Sequence, residues 1–328
     1  MDPARLTAKI RGALAPCRLG DWPTPLESAP ALGRALGLGA LAIKREDRCS
    51  ARCGGNKVRG LEFLLAGARP GTVFVTVGGT GSTHCLATAL HAAAVSCRVA
   101  LAQFPQPETA ASRAASALCR THAALVARAA SPATLPFAVA AAWWRARRFG
   151  PRRWIPGGGA HPRAVIGHLL GGLELPAQLE EPPDAIVLPL GTGGTAAGVA
   201  LAVAALGWPT RVIGVRVAPR VVASRWRTTR LARRAVRLLA RHGITLPSVP
   251  PLPPLPLLVV DGVGPGYGRP TPEGEAARRL AAQHGLTLDP TYGAKAFAVL
   301  MRRATCDVQR AVFWHTFGIP VSSGEAAP

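Results

Sequence analysis

Apolar positions gather along the chain in short runs set between longer stretches of helical spacing. Residues 72–77, 185–190, 211–217, 257–260 and 311–316 are compact runs rich in β-branched or aromatic side chains, which predicts buried strands. Weaker runs at 41–43, 99–101 and 124–126 predict further strands. Helical patterns are expected over 29–36, 58–65, 85–94, 162–175, 196–206, 272–284 and 294–301, with one more around Trp143 and Trp144. A strongly basic helix is expected to end near His242. Strands that alternate with helices imply βαβ units and parallel sheets. The expected fold class is therefore α/β. Residues 23–27 read as an extended lead-in, because residues before proline avoid the helical region. Residues 154–159 read as a loop, 247–256 as an extended proline-rich connection, and the tail beyond Pro320 as frayed. No internal repeat is apparent.

Three strand-to-helix junctions are glycine-rich. Gly54-Gly55-Asn56-Lys57 follows the charged segment Lys44-Arg45-Glu46-Asp47, Gly78-Gly79-Thr80-Gly81-Ser82-Thr83-His84 follows the run at 72–77, and Gly191-Thr192-Gly193-Gly194-Thr195 follows the run at 185–190. Asn56 is a candidate N-cap, which puts Lys57 in a first helical turn. There the positive end of the helix dipole disfavours a second positive charge, so the amine is neutral more often than at the surface. Taken alone, Lys57 also reads as one solvated lysine after a turn. Gly191 to Thr195 is a nest of backbone N–H groups at a helix start and suits a phosphate dianion. It lacks the Gly-Lys-Ser/Thr of a nucleotide P-loop. Gly191-x-Gly193-x-x-Ala196 fits the relaxed dinucleotide fingerprint, yet no acid follows at the ribose position, which leaves only NADP with an arginine partner. Ser82 is a good N-cap and equally placed to hold a carboxylate. Two features argue against a Ser-His hydrolase: neighbours at a helix start rarely point at one another, and no nucleophile elbow is present. Tyr267 and Tyr292 are the chain's two tyrosines, and each lies in a loop beside a predicted element.

At 328 residues, 48% hydrophobic and 17% charged, the chain is long enough for two folded lobes. No apolar run reaches membrane-spanning length, and residues 1–20 lack a signal-like apolar core. The odd count of seven cysteines suggests free thiols and a cytoplasmic setting. Cys49 and Cys53 have no second ligand pair, so no metal site is expected. The net charge of +22 comes almost wholly from arginine, and residues 185–260 contain no Asp or Glu. That leaves a basic nucleic-acid-binding protein as a rival reading. Few aromatics and no nucleic-acid motif favour a solvated basic face, with neither nucleic acid nor membrane as partner.

Together the motifs form a recognisable ordered set: Thr24-Pro25-Leu26-Glu27, Lys44-Arg45-Glu46-Asp47, Gly54-Gly55-Asn56-Lys57-x-Arg59-x-Leu61-Glu62-Phe63, Gly78-Gly79-x-x-Ser82-x-His84, Gly191-Thr192-Gly193-Gly194-Thr195, Tyr267-Gly268, Leu288-Asp289-Pro290-x-Tyr292 and His315-Thr316. From Thr24 to Gly318 the chain resembles the 1-aminocyclopropane-1-carboxylate deaminase / D-cysteine desulfhydrase family. These are pyridoxal 5'-phosphate enzymes of the tryptophan synthase β-subunit fold (fold type II). The resemblance implies a small lobe at 55–167, a discontinuous cofactor-binding lobe at 1–54 and 168–328, and a homodimer. It implies that Lys57 binds the cofactor as a Schiff base and moves the α-proton, and that Asn56, Thr83, Gly191, Thr192, Gly193, Gly194, Thr195 and Thr316 contact the cofactor. Ser82, Thr83 and His84 would face the substrate, and Ser82, Tyr267 and Tyr292 would serve the reaction.

Five positions depart from the family pattern. Gly60 replaces a basic residue and Gly293 a glutamate, Gly81 and Thr83 stand in Gln-Ser-Asn-His, and Phe317 replaces a glycine. The expected activity is β-elimination from a small D-cysteine-like amino acid, giving a 2-oxo acid and ammonia. Cyclopropane deamination and a cofactor-binding protein without turnover are the alternatives.

Overall fold

A computed structural model describes residues 2–246, 254–303 and 308–317. The helices are α1 (Pro3–Leu14), α2 (Pro30–Ala35), α3 (Lys57–Leu65), α4 (Thr83–Ala94), α5 (Ala110–His122), α6 (Leu135–Ala146), α7 (Pro162–Leu173), α8 (Gly194–Leu206), α9 (Arg225–Arg241), α10 (Pro272–Gln283) and α11 (Gly293–Arg303). The strands are β1 (Leu26–Ser28), β2 (Ala40–Arg45), β3 (Val73–Gly79), β4 (Arg98–Phe104), β5 (Leu125–Arg128), β6 (Arg152–Trp154), β7 (Ala185–Leu190), β8 (Arg211–Arg216), β9 (Leu257–Asp261) and β10 (Arg310–His315).

Two sheets form. One has the order β1-β2-β10-β7-β8-β9, the other β5-β4-β3-β6. Every pairing is parallel except β1 on β2. The period-2 alternation of side chains explains why both faces are covered. In β7, Ile186, Leu188 and Leu190 join the core built by α1, α7, α8 and α9, while Ala185 and Val187 join that of α2, α10 and α11. In β3, Phe74 packs toward α3, α4 and α5, and Val73 and Val75 toward α6.

Three elements differ from the sequence expectation. Residues 3–14 form an amphipathic helix that buries Leu6, Ile10 and Leu14. Asp2 caps it and a proline opens it. Residues 26–28 form a short antiparallel edge strand within the expected lead-in. Residues 152–154 form β6, which takes in Trp154, the first residue of the expected loop. The segment 247–253, the tail and Gly318 of the last motif lie outside the described residues.

Helices α3, α7 and α8 pack unusually closely. A methyl group on Gly167 would lie 2.1 Å from the Arg59 carbonyl oxygen, and one on Gly198 would lie 2.4 Å from His168 Cβ. Only glycine permits these crossings. They bring the start of α3, which carries Lys57, beside the start of α8.

Candidate active site

All four site-bearing strands deliver their residues at their carboxyl ends, where α/β sheets place ligands. Strand β2 leads to Lys57, β3 to Ser82, β7 to Gly191 and β10 to Thr316.

Lys57 opens α3 and is half-buried. Its Nζ donates to the Gly158 carbonyl oxygen at 3.3 Å. Desolvation lowers its pKa to about 8. Burial at the start of α3 is the cause. Asn56 is not the side-chain cap of α3 that its position suggested. Its backbone is helical (φ −53°, ψ −24°), and its Nδ2 donates instead to Thr195 Oγ1 at 2.7 Å. Its backbone N–H donates to the Thr316 carbonyl oxygen at 2.9 Å. One residue thus ties the lysine segment to both the Gly191–Thr195 turn and the end of β10. Gly55 has φ +134°, and a methyl there would lie 3.1 Å from both Phe317 and the Thr316 oxygen. The departure at Phe317 therefore packs directly beside the lysine turn.

The turn after β7 is shaped for an anion. Gly193 adopts φ +90° and precedes the first turn of α8, so backbone N–H groups stand free at a helix start. Thr192 Oγ1 lies 3.5 Å from the Gly158 carbonyl oxygen. Gly158 therefore faces both Lys57 and the anion turn, a role its place in a glycine loop did not announce.

At the start of α4, Ser82 Oγ accepts the Cys85 N–H at 3.3 Å, so it does cap the helix. Thr83 and His84 occupy the first turn. His84 Nε2 pairs with Thr76 Oγ1 at 2.9 Å, and its Nδ1 is buried without a partner among the described residues. Burial, aided by the nearby Lys57 charge, pushes its pKa down to about 3, so the ring is neutral.

Tyr267 and Tyr292 meet hydroxyl to hydroxyl at 2.6 Å. Burial raises both pKa values, and each phenol also senses Cys85, which places the pair near the start of α4. Asp289 aims Tyr292 by accepting the N–H groups of Thr291, Tyr292 and Gly293 at 3.0, 2.7 and 2.8 Å. Lys295 Nζ anchors the Tyr267 loop through the Val263 and Gly266 carbonyls at 2.7 and 3.2 Å. Pro107 would touch a methyl on Gly268 at 3.3 Å, so the β4–α5 loop closes on the Tyr267 loop. The arginines of α9 lie on its outer side, where Arg225, Arg230, Arg233, Arg234 and Arg237 flank Trp226 in a surface groove of about 870 Å³.

The profile of the family described as pyridoxal-phosphate dependent enzymes matches residues 17–316. The chain belongs to this family. It is 36% identical over 285 residues to a nocardicin C-9' epimerase of Nocardia uniformis subsp. tsuyamanensis, covering 84% of this chain and 85% of that one. It is 33% identical over 322 residues to a D-cysteine desulfhydrase of Klebsiella pneumoniae (strain 342), covering 91% and 92%. The crystal structure of an ACC deaminase homologue superposes with a TM-score of 0.80 at 28% identity, covering 95% of each chain. The fold is that of fold type II pyridoxal-phosphate enzymes, and the cofactor is pyridoxal 5'-phosphate. The geometry fits that cofactor: a desolvated amine, an open anion turn and an imidazole nitrogen without a partner among the described residues all converge on the Gly158–Gly159 loop. No helix among the described residues is long and apolar enough to cross a membrane.

The depressed lysine pKa has a kinetic consequence. Only the neutral amine condenses with an aldehyde, and its fraction rises with pH through about 8. In cofactor-free enzyme, the rate at which borohydride-trappable pyridoxal phosphate accumulates therefore increases roughly tenfold from pH 7 to pH 9 and then levels. A rate still climbing steeply above pH 10 would show a normally solvated lysine.

Proposed function

We propose that this enzyme carries out β-elimination on a small D-cysteine-like amino acid, yielding hydrogen sulfide, ammonia and a 2-oxo acid. Bound pyridoxal phosphate supplies an electron sink for the carbanion left by loss of the α-proton. Lys57 removes that proton. Ser82, Thr83 and His84 orient the substrate carboxylate at the start of α4, where helix N–H groups favour an anion. Tyr267 and Tyr292, both held as neutral phenols, can protonate a departing thiolate. Asn56, the Gly191, Thr192, Gly193, Gly194 and Thr195 turn, and Thr316 hold the cofactor.

The observation that carries this reading over cyclopropane opening is position 293. The Gly293 N–H is bonded to Asp289, and a methyl on Gly293 would lie 2.9 Å from Asp289 Oδ2. Gly293 itself brings no side-chain carboxylate, and the buried Thr316 would be the hydroxyl partner of the cofactor's pyridine nitrogen. A hydroxyl there would leave that nitrogen largely unprotonated, which would favour prompt loss of a β-leaving group.

Likeness to the nocardicin C-9' epimerase supports a second reading, inversion at the carbon Lys57 deprotonates, with the tyrosine pair as the second proton donor. One experiment separates the two. The enzyme is incubated in D₂O with D- and L-cysteine, D- and L-serine and 1-aminocyclopropane-1-carboxylate. Pyruvate and sulfide from D-cysteine support elimination. Deuterium at the α-carbon with inverted configuration and no oxo acid supports epimerisation. Product only from the cyclopropane would overturn both.

A further inference from the structure

His168 is a buried titratable group that this chemistry leaves unused. It lies on α7 where that helix is wedged between α3 and α8, and it is only 4% exposed. Its Nε2 would lie 3.6 Å from a methyl on Gly60 and 3.8 Å from one on Gly194. The imidazole edge therefore faces the first residue of α8, at the anion turn, through space that two glycines leave open. Nδ1 is sealed from solvent without a partner among the described residues, whereas Nε2 makes no hydrogen bond among them and is not sealed in the same way. A ring whose one accessible nitrogen is idle is free to engage a ligand there. Burial, then the charges of Lys57 and Arg59, keep the ring neutral, so it offers one N–H donor and no net charge.

We propose that His168 is a cofactor-binding residue that donates its Nε2–H to the phosphate of pyridoxal phosphate, from the side where Gly60 presents no side chain. It supplements the backbone N–H groups of Gly193, Gly194 and Thr195. The proposal rests on the Gly191–Thr195 turn being the phosphate site.

The test compares two ligands that differ only in the phosphate. Cofactor-free wild type, His168→Phe and His168→Gln are titrated with pyridoxal phosphate and with pyridoxal. A hydrogen bond to a charged group predicts that His168→Phe binds pyridoxal phosphate about tenfold to hundredfold more weakly. Its affinity for pyridoxal should change less than about threefold, and His168→Gln, which keeps a donor, should recover most of the loss. Unchanged pyridoxal-phosphate affinity in His168→Phe overturns the proposal, and so does an equal loss for both ligands. Should the phenylalanine variant not fold, ¹⁵N-histidine spectra of wild type decide. The Nε2 resonance of His168, assigned by its disappearance in His168→Gln, should move with pyridoxal phosphate and inorganic phosphate but not with pyridoxal. A resonance indifferent to phosphate overturns the assignment. Wild type that binds no pyridoxal phosphate at all removes the phosphate site itself, an outcome distinct from a silent His168.

Discussion

Lys57→Ala leaves a folded protein that no longer attaches pyridoxal phosphate and whose turnover falls by roughly 10³-fold or more. The chain has four lysines, and the other three are committed elsewhere. Lys9 bonds the Gly243 carbonyl at the surface. Lys44 is fully buried on Thr24, Glu174 and Gln178. Lys295 holds the Tyr267 loop. Only Lys57 brings an amine to the Gly158 and Gly191–Thr195 loops, and burial has already lowered its pKa to about 8. The variant should fold, because Lys57 contributes one 3.3 Å hydrogen bond and alanine favours a helix. The check is the visible absorption of cofactor-loaded wild type and variant, followed by borohydride reduction and peptide mapping. Label on the peptide containing Lys57 in wild type alone is the expected result. A variant that retains covalent label or turnover would place the chemistry on another residue.

The parts of the site that are local in sequence were legible before the structure. A β-branched run that ends in glycines and then becomes helical identifies the turns at 78–84 and 191–195, since the backbone conformation and the free N–H groups follow from a few neighbouring residues. What could not be read depends on contacts far apart in sequence. Asn56 has cap chemistry, but its side chain crosses to Thr195. Gly158 matters only because Lys57 and Thr192 converge on its carbonyl. His168 looks like one polar residue on an apolar helix until Gly60 and Gly194 are brought against it. The short strand β6 carries two arginines and a half-exposed tryptophan, so its pattern does not announce a strand, and it is set by pairing with β3. In the charged segment Lys44-Arg45-Glu46-Asp47, Lys44 and Glu46 are wholly buried, which charge pattern alone does not announce.

That burial makes Arg59 the position where a single substitution should cost most stability. Its guanidinium is 3% exposed and binds Glu46 through Nε and Nη2 at 2.7 and 2.8 Å. It also binds Glu174 through Nη1 and Nη2 at 2.7 and 2.8 Å, and stacks 3.9 Å from the Trp22 ring centroid. Burial opposes its charge, but Glu46 and Glu174 outweigh it and raise the pKa. Arg59→Met keeps the volume and removes the charge. Glu174 then retains Lys44, whereas Glu46 keeps the Thr24 hydroxyl as its one side-chain hydrogen bond among the described residues, with the Lys44 charge nearby. A buried carboxylate stripped of its direct ion pair predicts a loss of about 3–5 kcal/mol in denaturant unfolding at pH 7. Adding Glu46→Gln should recover part of the loss, because it removes the carboxylate that Arg59→Met deprives of its ion pair. A deficit below about 1 kcal/mol would mean that water reaches Glu46 and screens it. Because Arg59 shares the first turns of α3 with Lys57, the same ion cluster fixes where the reactive amine stands. The stability of this buried network and the placement of the lysine are therefore one structural property, and the Arg59 variant should lose cofactor affinity along with stability.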